Sequence, residues 1–150
     1  MKKEISNQLK KVLKDNFPID YLIFSSGAGV YDWKKQTLMH SQYLPDFEVK
    51  QISKILIEHQ VDFMIHEIIP DNHKFIYFRT EIHNPDFERR INVYKDFAIE
   101  LNLKTENYSN ACQIIAVFPN NLALMPEGYA SHVTHSQLIH VARYHYASTA

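Results

Sequence analysis

Two stretches of this 150-residue chain gather side chains that can do chemistry. In the first, Ser25-Ser26-Gly27-Ala28-Gly29 follows a short apolar run and sets hydroxyls among very small residues. Ser26 and Gly27 are the candidate ligand contacts there. A hydroxyl can bond a phosphate or sugar oxygen, and a glycine lets a ligand approach the backbone closely. The same residues also suit a bulge or tight turn between two strands. The lysine and helix start of a phosphate-binding P-loop are missing, and the spacing is not GxGxxG. In the second stretch, His66, Asp71, Asn72 and His73 surround Pro70. Imidazoles, a carboxylate and an amide on a rigid turn make a recognition surface. Pro-Asp-Asn is also ordinary turn chemistry, because proline presets φ and Asp and Asn bond their own backbone. His66 reads equally as a strand histidine satisfied by a neighbour. A third group lies in the tail, where His132 and His135 would share a helix face as zinc ligands can. No cysteine or nearby carboxylate completes that set, and a loosely attached C-terminal helix explains it as well.

The elements that must hold these groups follow from hydrophobic periodicity. Lys2 to Asn16 reads as an amphipathic helix with Ile5, Leu9, Val12 and Leu13 on one stripe, ended by Phe17-Pro18. Tyr21 to Phe24 is a short buried strand, and the chain resumes as a strand over Gln36 to Leu44. Pro45 opens a helix whose stripe is Val49, Ile52, Leu56 and His59. Val61 to Ile69 alternates like a half-buried strand, whereas Phe75 to Phe78 is continuously apolar and should be covered on both faces. With Pro70 to His73 between them, they form a hairpin that organises the chain. Asn84-Pro85-Asp86 starts a helix with a cap, proline at the first position and an acid in the first turn. Its stripe of Phe87, Ile91, Tyr94, Ala98 and Leu101 carries it to Leu101. Ala111 to Phe118 is a buried strand. From Gln36 to Phe118 the order is β-α-β-β-α-β. This predicts an α+β fold of ferredoxin-like shape, with an antiparallel sheet and two helices on one face. The expected division is 1–35, then a module over 36–121, then a tail over 122–150.

Composition narrows the function classes. The formal net charge is −1 and no long basic run occurs, so neither nucleic acid nor an anionic membrane is an expected partner. No apolar run is long enough to span a bilayer and no signal-peptide pattern is present, which predicts a cytoplasmic location. The single cysteine, Cys112, sits in an apolar strand and reads as a buried, inert thiol.

The segments IDYLIFSSGAGVYDW at 19–33, LIEHQVDFMIH at 56–66 and IPDNHKFIYF at 69–78 resemble the haloacid dehalogenase-like superfamily, specifically its Cof-type (class IIB) phosphatases. In that family a core strand ends in a small-residue-Gly-Ala segment that leads into a βαββαβ-type cap. The cap closes over a phosphorylated substrate. The resemblance spans about Asp20 to Phe118 and implies a cap region preceded by a helix-strand remnant of a Rossmann-like core. It places Ser26 and Gly27 at the cap-core mouth, and makes His66, Asp71, Asn72 and His73 candidate contacts to a small phosphorylated metabolite such as a sugar phosphate. It also implies magnesium as the family's cofactor.

The departures are equally specific. The family's nucleophilic aspartate lies in a DxD motif, and this sequence has none. Its late acidic motif is also missing, and Ser26 stands where the family often has asparagine. The expectation is therefore a truncated cap region, with no cofactor of its own and no hydrolysis alone. The alternatives are a ligand-binding or protein-interaction module of ferredoxin-like shape, and a zinc-binding protein using the tail. Tyr21 to Phe24, deprived of a larger sheet, is expected to drive a homodimer.

Overall fold

The computed structural model describes Leu13, residues 17–119 and, as backbone, residues 139–141. The helix expected over Lys2 to Asn16 and the tail histidines His132, His135 and His145 lie outside that range. The described chain runs β1 (Tyr21–Phe24), a 3-10 turn (Ser25–Gly27), β2 (Gly29–Asp32), β3 (Thr37–Ser41), α1 (Asp46–Glu58), β4 (Asp62–Glu67) and β5 (Phe75–Phe78). It continues through α2 (Pro85–Val93), a 3-10 turn (Lys95–Phe97), β6 (Ala98–Glu100), β7 (Ala111–Val117) and β8 (Ile139–Val141). The α+β class and the antiparallel β4–β5 hairpin are as the sequence predicts, with Phe63 opposite Phe78 and His66 opposite Phe75.

The sheets differ from expectation in membership. β1, β2 and β3 make a three-stranded antiparallel sheet, and a separate five-stranded sheet has the order β6-β5-β4-β7-β8. β3 therefore does not join the strands that follow α1. It closes instead as a hairpin on β2, across a turn in which Asp32 Oδ1 accepts the Lys35 amide at 2.8 Å and Gln36 takes a φ of 52°. Closing so short a loop costs less chain entropy than a crossover to the larger sheet. Only Leu44 reaches that sheet, in an isolated bridge to Ala111. The five-stranded sheet is mixed, because β5 and β6 run parallel, as do β7 and β8.

The two helices lie on opposite faces of this sheet, not on one. Val49 and Leu56 of α1 pack with Phe63, Ile65, Ile114 and Ala116. Phe87 and Ile91 of α2 pack with Met64, Phe75 and Val117. Adjacent strand residues point to opposite faces, so these are two separate cores. The cause is visible in β4, where Asp62 through Ile65 are all buried. It is the central strand, covered on both sides, while β5 is mostly half-buried. The alternation in β4 was misleading because Met64 is as good a core residue as its neighbours, and Asp62 is buried for a different reason.

That reason is a hydrogen-bond network. Asp62 Oδ1 accepts the Thr80 amide at 2.6 Å, and Oδ2 accepts Asn84 Nδ2 at 2.7 Å. Asn84 Nδ2 also donates to the Val117 carbonyl at 2.9 Å, and Asn84 Oδ1 caps α2 by accepting from the Phe87 amide at 3.3 Å. The cap, the proline and the acid at the start of α2 are as expected. Its end is not: α2 stops at Val93, and the stripe residues Ala98, half-buried, and Leu101, buried, lie as extended chain alongside β5. Phe97, Ile99 and Leu101 also fit a period of two, and an unpaired β5 edge supplies the competing hydrogen bonds. At the end of α1, Gln60 takes the left-handed position with a φ of 53° where glycine is usual. The paired bonds Val61 N to Leu56 O and Gln60 N to Ile57 O close that helix.

Asp62→Ala leaves two buried donors without an acceptor. It is expected to lower unfolding free energy by about 3 kcal/mol, read from urea denaturation at constant slope. Asp62→Asn should also destabilise, because its NH2 replaces one of the two accepting oxygens and faces the donor of Thr80 or Asn84.

Candidate functional site

The turn after β1 is conformationally costly. Ser25, Ser26 and Gly27 all have positive φ, at 49°, 55° and 96°. An L-residue in this region gives up about 1–2 kcal/mol. Gly27 escapes that cost, and a Cβ there would meet open space, so glycine is needed for its conformation and not for room. Gly29 is the opposite case: a Cβ would come within 2.4 Å of Phe24 and 2.8 Å of Ile69. Its bareness lets the turn seat against the loop between β4 and β5.

Side-chain bonds from the five-stranded sheet hold the serines in place. Asn72 Nδ2 donates to Ser25 Oγ at 3.0 Å, and Gln113 Nε2 donates to Ser26 Oγ at 2.7 Å. The Ala28 amide donates to the Ser25 carbonyl at 3.0 Å. Each serine oxygen thus accepts from an amide. Burial pushes the neighbouring Cys112 thiol up to about 11, opposed by a hydrogen bond with Ser25. A thiol held protonated is poor as a nucleophile or metal ligand.

His66 sits opposite Gln113 on the adjacent strand. Its Nδ1 lies 2.9 Å from the Asn72 carbonyl, which can only accept, so the neutral ring carries its proton on Nδ1. The Nε2 lone pair is then an acceptor, and this buried atom has no hydrogen-bond partner. The ring packs against Phe75 with centroids 5.0 Å apart. Desolvation by burial pushes the imidazole below its ordinary pKa, partly offset by the bond to Asn72.

The structure therefore brings Ser26, Gly27, His66 and Asn72 to one locus. Asp71 and His73 have other contacts. Asp71 pairs with Lys74 at 2.8 Å, which holds its carboxyl low, and its backbone closes the turn with Ile68 and Lys74. His73 meets the edge of Phe97 at 5.0 Å. Sequence reasoning did not single out Ser25 or Gln113, whereas it read Cys112 as the buried, inert thiol it is. Gln113 carried a usable signal: a glutamine inside an apolar strand needs a buried partner. The locus offers the Ser26 hydroxyl, a glycine turn and one unfilled, buried acceptor. Among the described residues no three His, Cys, Asp or Glu side chains are grouped to hold a metal ion, and no helix is long and apolar enough to cross a membrane.

The chain belongs to the haloacid dehalogenase-like hydrolase family, whose model matches residues 3–136. A solved structure of a haloacid dehalogenase-like hydrolase from Bacteroides thetaiotaomicron is similar at 12% identity and a TM-score of 0.45, over 69% of this chain. This chain spans about a third of that structure's length, covering 36% of it. No curated protein matches the chain.

The lowered histidine gives a pH dependence with a definite sign. The unfolded chain takes up a proton at about pH 6.5, before the folded chain does. The contribution is therefore complete above that pH and is lost as pH falls through the lower folded value. Urea midpoints measured between pH 7.5 and 5 should decline for the natural chain. His66→Phe should flatten that decline, and an unchanged slope would remove His66 as its source.

Proposed function

We propose that this chain is the cap-like, substrate-selecting part of a Cof-type phosphatase and recognises a small phosphorylated metabolite such as a sugar phosphate. One observation carries the reading: the strained Ser25–Gly27 turn is tied by Asn72 and Gln113 beside the unpartnered Nε2 of His66. Backbone strain of this kind gathers at ligand sites because surrounding structure has to maintain it. Phosphate oxygens only accept, and the Ser26 hydroxyl can donate to one. A sugar hydroxyl can donate, and His66 Nε2 can accept from it. Gln113 orients Ser26, while Asn72 orients His66 and ties it to Ser25. Asp71 and His73 remain candidate outer contacts from the same loop.

Hydrolysis is a separate matter. Magnesium is the cofactor the Cof-type resemblance implies, but the described residues do not suit it, as no acidic cluster is grouped to bind the ion. The sequence also has no Asp-x-Asp pair to supply a nucleophile and its partner. No hydrolytic step is therefore assigned to this chain's own residues, and its role is to bind and orient.

The test is a titration of the purified chain with a panel of sugar phosphates, followed by amide chemical shifts. Shifts should concentrate at residues 25–27, 66 and 72. Ser26→Ala and His66→Phe should each weaken binding about tenfold, the expected loss for a hydrogen bond worth roughly 1.4 kcal/mol. Absence of binding across the panel, or shifts located elsewhere, would overturn the assignment. In parallel, magnesium-dependent release of phosphate should not exceed the blank. Turnover abolished by substituting a residue of this chain would overturn the purely recognising role.

A further inference from the structure

We infer that the β6 edge of the five-stranded sheet is a self-association surface, on which β6 pairs antiparallel with β6 of a second copy of this chain. The sheet's outermost strands are β6 and β8, and neither has a strand on its outer side among the described residues. The exposed apolar side chains gather at β6. Around it five large apolar side chains lie within a short stretch: Val93, Tyr94, Phe97, Ile99 and Leu103 are between 45% and 62% exposed. An apolar edge of this kind is a template for another strand: β6 is short, with three residues, but it holds no proline, and among the described residues no element covers it.

The sequence of this edge suits a second copy. Leu101 N donates to the Tyr77 carbonyl at 2.7 Å, and Ile99 lies opposite Ile76. Ile99 and Leu101 thus turn their backbone groups towards β5, while Ala98 and Glu100 turn theirs outwards. A two-fold axis at Ile99 pairs Ala98 of each copy with Glu100 of the other, so every outward amide and carbonyl of the strand is satisfied. Ile99 then meets itself across the axis. The glutamates sit opposite alanines and not opposite each other. Each end of the edge segment carries one base and one acid, Lys95 with Asp96 and Glu100 with Lys104, so an antiparallel arrangement forces no like charges together.

Sedimentation of the full chain at micromolar concentrations tests this. The natural chain should be a dimer. Ile99→Lys, at an exposed position, should raise the dissociation constant at least tenfold with an unchanged circular dichroism spectrum. Because Ile99 falls at a non-hydrogen-bonded pair, Ile99→Cys should form an intermolecular disulfide on mild oxidation with diamide, while Ile82→Cys at another exposed site should not. A chain that stays monomeric overturns the proposal. So does a dimer insensitive to Ile99→Lys, or one abolished by Ile23→Lys on β1 instead. If Ile99→Lys fails to fold, the cysteine variant decides: no cross-link, no β6 interface.

Discussion

Much of this structure hangs on one buried carboxylate. Asp62 begins the central strand, and its two oxygens fix the chain leaving β5 and the cap residue of α2. Through Asn84 the same network reaches the last residue of β7. Four elements are thus held in register by groups that would each be costly to bury alone. α2 can cover its face of the sheet only because its first turn is fastened there. The apolar contacts of Phe87 and Ile91 supply attraction, but attraction is non-directional. The network supplies position.

A comparable division operates at the candidate site. The serine turn belongs to the small sheet, and the amides that hold it belong to the large one. Neither sheet alone accounts for the left-handed backbone of Ser25 and Ser26. Because Gln113 is on β7 and Asn72 is on the loop beyond β4, the turn registers the relative placement of both strands. His66 shares this dependence, since its tautomer is set by the carbonyl of Asn72. A ligand meeting the turn therefore meets atoms whose positions are set by packing some distance away.

The elements with strong local signals were legible. The Asn84-Pro85-Asp86 start carried its cap chemistry in sequence, and the hairpin around Pro70 to His73 was bounded by turn residues. The two stretches chosen for their chemistry do meet, at Ser26, Gly27, His66 and Asn72. What stayed hidden was decided at long range. The sequence of β3 suits a strand in either sheet, and only the short turn before it selects β2. Leu101 fits a helical stripe with Ala98 and an extended period with Phe97 and Ile99, and the choice is made by the open edge of β5. Asp62 looked like a solvent-facing position because its partners, Thr80 and Asn84, lie beyond the next strand. Ser25 and Gln113 are likewise partners only once two sheets are packed together.

The placement of β7 bears on how the chain comes to be folded. β4 lies at the middle of its sheet, yet one of its neighbours is the adjacent hairpin partner and the other is β7, which follows α2, β6 and a polar loop. During synthesis, α1 and the hairpin emerge with Phe63, Ile65 and Met64 already displayed, and nothing made so far can cover both faces. The side of β4 that will receive β7 stays an open template until Ala111–Val117 has left the ribosome. Such late, non-local pairing slows folding and lengthens the interval in which apolar strands are exposed to other chains. A nascent chain of this protein is thus most vulnerable to aggregation while the polar loop before β7 is being made, although that loop itself carries little that aggregates.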